Sequence, residues 1–296
     1  MIKKPHFFNV KSRIGIINKP NKQKEKNTGV EDGADYILEQ SFLKKIKNHS
    51  LSRFQFPSPE NISLDLFSKT LEKQILKLQN FINNEIKDDE FQIVIGGDHS
   101  ISLPSFLSVI DRIGSSKKIG YVHFDSHGDI NLAKESPSNN FHGMYLRPLF
   151  DDFDISEIDS LLIEKVPTEN LLMVGNLDLD KGEFSFIDDS KIQTISRENL
   201  LKNKEKTLKN FKNFIFSFKY LHVSFDGDVL DKSIFSATGI PADKGFMLDE
   251  IMQFIQIIAK HSRLSFDIAE FNPYKKGADK SKNIMQNILL EVIKES

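Results

Sequence analysis

The stretch IGYVHFDSHGD, residues 119–129, joins a run of apolar residues to a cluster of acidic and histidine residues. The apolar run is typical of a strand that is buried on both faces of a sheet. Asp125, His127 and Asp129 follow at alternate positions, and an extended chain places alternate side chains on the same side. The stretch therefore predicts a buried strand whose carboxyl end presents metal-capable side chains.

Similar apolar runs recur along the chain, and they predict strands at 13–17, 91–95, 119–124, 170–175, 220–225 and 264–269. Between them, apolar residues repeat at steps of three and four, as in Leu71, Ile75, Leu78 and Ile82, which indicates helices. Strands that alternate with helices favour parallel pairing through right-handed crossovers. No linker or repeat divides the chain. We therefore predict a single-domain three-layer α/β/α fold over residues 1–296, with one parallel, doubly wound sheet.

The composition excludes several classes of function. The chain carries 40 Lys and Arg against 42 Asp and Glu, so it lacks the basic excess of most nucleic-acid-binding proteins. It has no cysteine, which excludes disulfides, thiolate nucleophiles and zinc–thiolate sites. There is neither a signal-peptide pattern nor a run of about 20 apolar residues. We expect a soluble cytoplasmic protein with no nucleic-acid or membrane partner.

Two further predicted strands lead into clusters of the same kind, GGDHS at 96–100 and SFDGDVLD at 224–231. The carboxyl ends of parallel strands meet at one edge of a sheet, so we expect the clusters to converge. They would form one group of metal ligands: His99, Asp125, His127, Asp129, Asp226 and Asp228. Four buried carboxylates require bound cations, and two adjacent divalent ions can activate water for hydrolysis. Oxygen-rich ligation favours Mn²⁺, with Co²⁺, Ni²⁺ or Zn²⁺ as alternatives.

Each cluster taken alone has a simpler interpretation, because an isolated Asp-x-His or Asp-x-Asp is usually a cap or a solvated pair. Three clusters at three strand ends favour the metal site. The other histidines are expected to be structural. His123 and His222 lie inside predicted strands and should pack in the core, whereas His6, His49 and His261 should lie at the surface.

The motifs GGDHS, D-x-H-x-D and S-x-D-x-D-x-x-D occur here in the order found in the ureohydrolases, the family of arginase and agmatinase, which this sequence resembles. The segments at 29–38 and 236–246 extend the resemblance over nearly the whole chain. It implies the arginase-like fold and two Mn²⁺ ions per subunit, held by the six side chains named above. Asp129 would also accept a hydrogen bond from a metal-bridging hydroxide. Family members are commonly trimers or hexamers, so the resemblance also implies a homo-oligomer.

The loop after Asp129 carries the prediction of the substrate. The stretch DINLAKESPSNNFHGM at 129–144 resembles arginase, which implies that Asn131 and Ser138 bind the α-carboxylate of an amino acid. GNLDLDKGE at 175–183 resembles the segment that holds the α-amino group, which maps that role onto Asp178. The alternative for Asn131 and Ser138 is ordinary capping of turns.

Two more residues carry over from the family. Glu270 in DIAEFNP resembles the glutamate that holds the guanidinium, and His142 in HGM resembles the proton shuttle. Their alternatives are an acid at a helix amino terminus and a surface-loop histidine. With Asp129, they complete the expected catalytic group.

The resemblance thus implies hydrolysis of L-arginine to L-ornithine and urea by a metal-bridging hydroxide. Three alternatives remain open. The substrate could be agmatine or another guanidino compound. The protein could be a metal-dependent amidohydrolase of the deacetylase type. It could also be a degenerate homologue that only binds arginine or metal.

Several positions depart from the family pattern, and among them Gly227 and Val229 look exchanged relative to the usual D-V-D-G. Lys232 and Tyr145 stand where the family usually has Pro, and Ile240 replaces a Thr. None is an expected ligand, so we expect them to affect efficiency more than reaction type, through hydrogen bonds around the ligands.

Overall fold

The computed structural model describes residues 4–16 and 27–294. Its strands are β1 (Lys4–Lys11), β2 (Ser50–Gln55), β3 (Glu90–Ile95), β4 (Ile119–Asp125), β5 (Leu171–Gly175), β6 (Gln193–Ile195), β7 (Tyr220–Asp226) and β8 (Leu264–Ala269). They form one eight-stranded sheet in the order β2-β1-β3-β8-β7-β4-β5-β6. Every neighbouring pair is parallel, as expected for strands joined through helices.

Helices connect the strands and cover both faces of the sheet. They are α1 (Gly33–Ile37), α2 (Gln40–Leu43), α3 (Phe67–Glu85), α4 (Ser102–Ile113), α5 (Arg147–Phe150), α6 (Ser156–Asp159), α7 (Lys181–Asp189), α8 (Arg197–Lys202), α9 (Lys204–Phe216), α10 (Leu248–Ile258) and α11 (Ala278–Val292). One face packs against α1, α2 and α8 to α11, and the other against α3 to α7. The three-layer α/β/α fold is therefore confirmed. In the parts of the chain that the structure describes, no helix is both long and apolar enough to cross a membrane.

The central strands are apolar on both sides because each side contacts a different layer of helices. In β3, Ile93 and Ile95 belong to one hydrophobic core and Val94 to the other. In β4, Phe124 belongs to the same core as Ile93, and Tyr121 belongs to the same core as Val94. Each fully buried large apolar side chain contributes roughly 1.5–3 kcal/mol relative to an exposed one. Because both faces of these strands are buried, their sequences are largely continuous apolar runs.

The first predicted strand is wrong, and the five others are confirmed. The strand lies upstream, at Lys4–Lys11, while residues 13–16 form a turn and residue 17 lies outside the described residues. The turn wraps the buried Asp98, whose Oδ2 accepts a hydrogen bond from the Gly15 N–H at 3.1 Å. A side chain on Gly15 would collide with Asp98 Oδ1, so the turn depends on glycine. The polar, glycine-punctuated sequence at 18–33 predicts a loop after the first strand. It falls largely outside the described residues, since only 27–33 are included.

The sequence did not indicate β2 or β6, which are the two edge strands of the sheet. No residue of β2 is fully buried, and in β6 only Ile195 is. An edge strand has a single paired neighbour and needs no continuous apolar run.

His6 and His261 are buried, at 3% and 7% exposure, so the expectation that they lie at the surface is wrong. His6 Nδ1 lies 2.7 Å from Glu90 Oε2, at the amino end of β3. Ser50 Oγ donates to Glu90 Oε1 at 2.5 Å, and Lys4 Nζ lies 3.1 Å from the same oxygen. Burial alone would raise the pKa of Glu90, but the hydrogen bonds from Ser50, His6 and Lys4 overcome it and lower the pKa to about 2.

The pKa of Glu90 predicts a pH-dependent contribution to stability. Because the folded-state pKa is about 2 and the ordinary value is 4.5, the contribution is complete above pH 4.5 and is lost as the pH falls toward 2. We expect the unfolding free energy of Glu90→Gln to fall less steeply than that of wild type as the pH is lowered over this range. Urea titration at each pH measures this slope. Asp88→Asn, at an exposed neighbour, should keep the wild-type slope. Identical slopes for wild type and Glu90→Gln would contradict the prediction.

Candidate metal centre

The carboxyl ends of three strands bring the six predicted ligands together at one edge of the sheet. Strands β4 and β7 are neighbours in register, with Phe124 opposite Phe225, so Asp125 and Asp226 stand side by side where the two strands end. His99 begins a short 3-10 turn after β3, His99–Ile101. Residues far apart in sequence therefore line one crevice, because parallel strands all end at the same edge.

His99 is the centre of the first half of the cluster. Its Nδ1 atom lies 3.0 Å from Asp125 Oδ2, 2.9 Å from Asp129 Oδ2 and 3.6 Å from Asp226 Oδ2. On the other side of the ring, Nε2 lies 2.6 Å from the hydroxyl of Ser224. That contact fixes the imidazole plane and leaves Nδ1 facing three carboxylates.

His127 is the centre of the second half. Its Nδ1 atom lies 3.3 Å from Asp125 Oδ1 and 3.1 Å from Asp228 Oδ2. The other oxygen of Asp228 accepts hydrogen bonds from the backbone N–H and the hydroxyl of Ser126, at 3.0 and 2.9 Å. Asp125 thus turns one oxygen to each histidine and lies between the two halves.

The electrostatics of the cluster favour added positive charge. Burial and the carboxylates of Asp228 and Asp125 raise the pKa of Asp226 well above its ordinary value. Burial and Asp125 raise the pKa of Asp129 to about 7. Burial opposes a charged His99, yet the carboxylates of Asp125 and Asp129 raise its pKa well above the ordinary value. The raised pKa values of Asp226 and Asp129 therefore indicate that these carboxylates crowd one another until positive charge is added.

The donor atoms fit divalent cations. His99 Nδ1 and Asp125 Oδ2 are buried and have no hydrogen-bond partner, although buried polar atoms are normally paired. A second group, Asp125, His127 and Asp228, also places its ligand atoms within 4.8 Å of one another. Carboxylate oxygen and imidazole nitrogen are ligands for Mn²⁺, Co²⁺ and related ions.

Strained backbone supports two of the site residues. Asp129 and Glu270 have positive φ angles of 51° and 63°, a region that non-glycine residues seldom adopt. Asp129 is held by the Leu146 N–H, which donates to its carbonyl at 3.0 Å, and the Glu270 N–H donates to the Gly97 carbonyl at 2.7 Å. Such strain persists only where surrounding contacts enforce it.

Glu270 follows β8 and connects the cluster to His142. Its Oε1 accepts the His99 backbone N–H at 2.9 Å and lies 2.9 Å from His142 Nδ1. Oε2 accepts a hydrogen bond from Asn27 Nδ2 at 2.9 Å. Burial would lower the pKa of His142, but the Glu270 carboxylate raises it to about 9. Burial would raise the pKa of Glu270, and His142 lowers it below its ordinary value. The two side chains form an imidazolium–carboxylate pair, and Asn27 is a neighbour that the sequence did not indicate.

Asn131 contacts the carboxylate of Asp180, a neighbour that the sequence did not indicate. It is buried, its Nδ2 donates to Asp180 Oδ2 at 3.0 Å, and its Oδ1 has no hydrogen-bond partner. Asp178 is exposed, and its backbone N–H donates to the Ser126 carbonyl at 2.9 Å. Asp180 is also the N-cap of α7, in a capping box with Glu183. The spacing of Asp180 and Glu183 is a recognisable capping signal, but it does not reveal the contact with Asn131.

Ser138 lies in the exposed part of the loop. Its Oγ accepts a hydrogen bond from the Asn140 N–H at 3.1 Å. This contact is the turn capping that was the alternative to substrate binding.

Three of the positions expected to depart from the family pattern lie in different environments. Lys232 pairs with Asp243 at 2.6 Å on the surface, and Ile240 is 61% exposed. Tyr145 is fully buried, and its hydroxyl lies 3.1 Å from His99 Nε2. Of the three, only Tyr145 contacts a candidate ligand.

Comparison with known proteins identifies the family. The model of the Arginase family matches residues 12–294. The arginase of Entamoeba histolytica is 26% identical over 285 residues, which cover 93% of this chain and 96% of that protein. The arginase of Staphylococcus aureus strain COL is 28% identical over 277 residues, which cover 88% of this chain and 90% of that protein.

The fold agrees with this assignment. The crystal structure of Entamoeba histolytica arginase in complex with L-ornithine superposes with a TM-score of 0.85 at 24% identity, over 99% of this chain and 98% of the other. Because the family model matches nearly the whole sequence, this chain belongs to the arginase family and is a hydrolase of the ureohydrolase type.

Proposed function

We propose that this protein hydrolyses L-arginine to L-ornithine and urea at a centre of two divalent cations. The observation that carries the proposal is the juxtaposition of the histidine–carboxylate cluster with the Glu270–His142 pair. Glu270 Oε1 accepts the backbone N–H of His99, whose imidazole is part of the cluster, at 2.9 Å. A cationic substrate group held by Glu270 would therefore lie beside the cations.

The two halves of the cluster would each hold one cation, with Asp125 shared between them. His99, Asp129 and Asp226 complete the first position, and His127 and Asp228 complete the second, with Asp226 adjacent. The excess of carboxylate oxygen over imidazole supports Mn²⁺ as the resident ion. When bound, the two cations would lower the pKa of a water molecule and stabilise negative charge that develops on the substrate.

Glu270 would bind and orient the guanidinium group. A carboxylate accepts two parallel charged hydrogen bonds from a planar guanidinium. Hydrogen-bond donors already approach both oxygens, so the substrate would take the place of His142 at Oε1. The central carbon of the guanidinium would then face the cluster.

His142 would hold the proton for the departing amine. In the free protein the contact with Glu270 raises its pKa to about 9 and keeps the imidazole charged at neutral pH. When the substrate displaces it from Glu270, the imidazolium would donate its proton as the bond between the central carbon and the side-chain nitrogen breaks. Water supplies the oxygen of urea, and the amine leaves protonated as L-ornithine.

Asn131, Ser138 and Asp178 would bind the α-carboxylate and the α-amino group. The buried Asn131 supports this role, since Nδ2 has a second N–H to offer and Oδ1 has no hydrogen-bond partner. The neighbouring Asp180 adds a carboxylate that suits an ammonium group. Agmatine has no carboxylate, and it would leave these groups without a partner.

The substrate assignment predicts a preference for L-arginine. With manganese-loaded protein, we expect kcat/KM for urea release from L-arginine to exceed that for agmatine or guanidinobutyrate. Asn131→Ala should raise KM for L-arginine by about 10- to 100-fold, since a hydrogen bond to a charged group contributes about 1.5–3 kcal/mol. It should change the kinetics of agmatine much less.

Asn139→Ala is the matched control, because Asn139 lies in the same loop and its side-chain amide donates to the Ser136 carbonyl at 3.1 Å instead of to the Asp180 carboxylate. No urea from any guanidino compound would overturn the proposed function. A preference for agmatine would replace L-arginine by that substrate.

The role of His142 predicts a defect in turnover. We expect His142→Asn to lower kcat by about 10²- to 10⁴-fold, the usual contribution of a general acid, while the metal content is unchanged. His49→Asn, at a half-buried histidine outside the cluster, should keep wild-type kcat. Unchanged kcat in His142→Asn would remove it from the mechanism.

The ligand set predicts the metal stoichiometry. Elemental analysis after dialysis should give two ions per wild-type chain and fewer for Asp228→Asn, which loses a ligand of the second position. Asp231→Asn is the matched control, because Asp231 lies in the same motif but contacts Ser233 and Lys244 instead. Equal metal content in Asp228→Asn and wild type would contradict the assignment.

A further inference from the structure

Three buried polar atoms without hydrogen-bond partners converge at the deep side of the metal centre. They are His99 Nδ1, Asp125 Oδ2 and His123 Nε2. Their residues form one group whose ligand atoms all lie within 4.8 Å of one another. His123 is not among the six ligands proposed above. His99 Nδ1 and Asp125 Oδ2 lie 3.0 Å apart, and the cations of the proposed function would bind both. The atom left to explain is the buried His123 Nε2, because a buried polar atom without a partner costs roughly 1–3 kcal/mol.

Strand β4 directs His123 toward the cluster. His123 precedes Asp125 by two residues, so both side chains project from the same face of the strand. His123 is fully buried, and its ring stacks on the ring of His99, with centroids 5.2 Å apart and planes 21° apart. The imidazole therefore lies beneath the cluster, where no solvent can satisfy its free nitrogen.

The contacts of His123 favour one tautomer. Nδ1 lies 3.2 Å from the hydroxyl of Tyr145, and Nε2 lies 3.5 Å from Asp125 Oδ2 without a hydrogen bond. If Nδ1–H donates to the Tyr145 oxygen, Nε2 carries a lone pair. A lone pair and a carboxylate oxygen at this distance repel each other unless a cation lies between them.

We propose that His123 is a seventh protein ligand of the centre, binding through Nε2 the cation that His99 and Asp125 hold. Tyr145 is its positioning residue, because its oxygen accepts the Nδ1–H and so keeps Nε2 free. This inference rests on the two-cation centre of the proposed function. A second imidazole on this cation raises the relative affinity of the centre for Co²⁺ over Mn²⁺, since imidazole suits the later transition ions better.

Anomalous diffraction from crystals of the full chain soaked in Co²⁺ tests the ligand directly. We expect cobalt at about 2.1 Å from His123 Nε2, the length of a metal–imidazole bond. Cobalt bound by the other ligands but beyond about 3 Å from Nε2, too far for such a bond, would overturn the inference alone. Absence of cobalt from the whole cluster would overturn the two-cation centre of the proposed function.

Metal competition in solution tests the selectivity. We expect His123→Gln to reduce the ratio of Co²⁺ to Mn²⁺ affinity by at least about tenfold, because it removes an imidazole that favours Co²⁺. His222→Gln is the matched control. His222 is an equally buried histidine in the adjacent strand, and its Nε2 also makes no hydrogen bond. That nitrogen lies 3.1 Å from Asp267 Oδ2, and Asp267 is not one of the proposed ligands. An unchanged ratio in a folded His123→Gln protein would overturn the inference.

Tyr145→Phe tests the positioning role with little change in volume. We expect the visible absorption spectrum of the cobalt-loaded protein to change, because Nδ1 loses its acceptor and the tautomer shifts. Tyr121→Phe removes a buried hydroxyl that lies 3.3 Å from the Tyr145 hydroxyl, and it should leave the spectrum as in wild type. An unchanged spectrum in Tyr145→Phe would overturn the positioning role.

Discussion

Four carboxylates lie buried together at the carboxyl ends of β4 and β7, and their mutual repulsion is the constraint on which the rest of the site depends. Asp125, Asp129, Asp226 and Asp228 are each less than a tenth exposed. Burial and like charge raise the pKa of Asp226 and Asp129, so the fold stores unfavourable electrostatic energy there. Such a group of buried carboxylates is stable only if bound cations offset their repulsion and loss of hydration.

The surrounding contacts hold this arrangement in place. Ser126 donates two hydrogen bonds to one oxygen of Asp228, and the Ser224 hydroxyl contacts Nε2 of His99, the ring nitrogen that faces away from the carboxylates. Strained backbone at Asp129 and Glu270 is tied down by hydrogen bonds from or to neighbouring segments. The two hydrophobic cores on either side of the sheet supply the stability that offsets the strain and the charge repulsion.

Tyr145 lies at the deep side of the centre. Its hydroxyl contacts His99, His123 and Ser224 within 3.2 Å. It thus places a polar group beneath the ligands. The environment of His99 and His123 therefore depends on this tyrosine, whereas Lys232 and Ile240 lie at the surface.

The sequence by itself determined the central strands, the three clusters of acidic and histidine residues, and their convergence. Periodicity predicts strands that are buried on both faces, and parallel pairing forces their carboxyl ends to one edge, so no tertiary detail is needed. The sequence also indicated correctly that His123 and His222 are buried, although it could not assign their contacts.

Only the tertiary structure decided the position of the first strand, the two edge strands, the contact of Asn131 with Asp180, and the partners of Tyr145. Residues 13–16 form a turn because they wrap the distant Asp98, and β2 and β6 pair along one side only. The hydroxyl of Tyr145 meets His99, which is 46 residues away in sequence. These outcomes depend on contacts between distant segments, and local periodicity contains no information about which distant side chain will lie opposite.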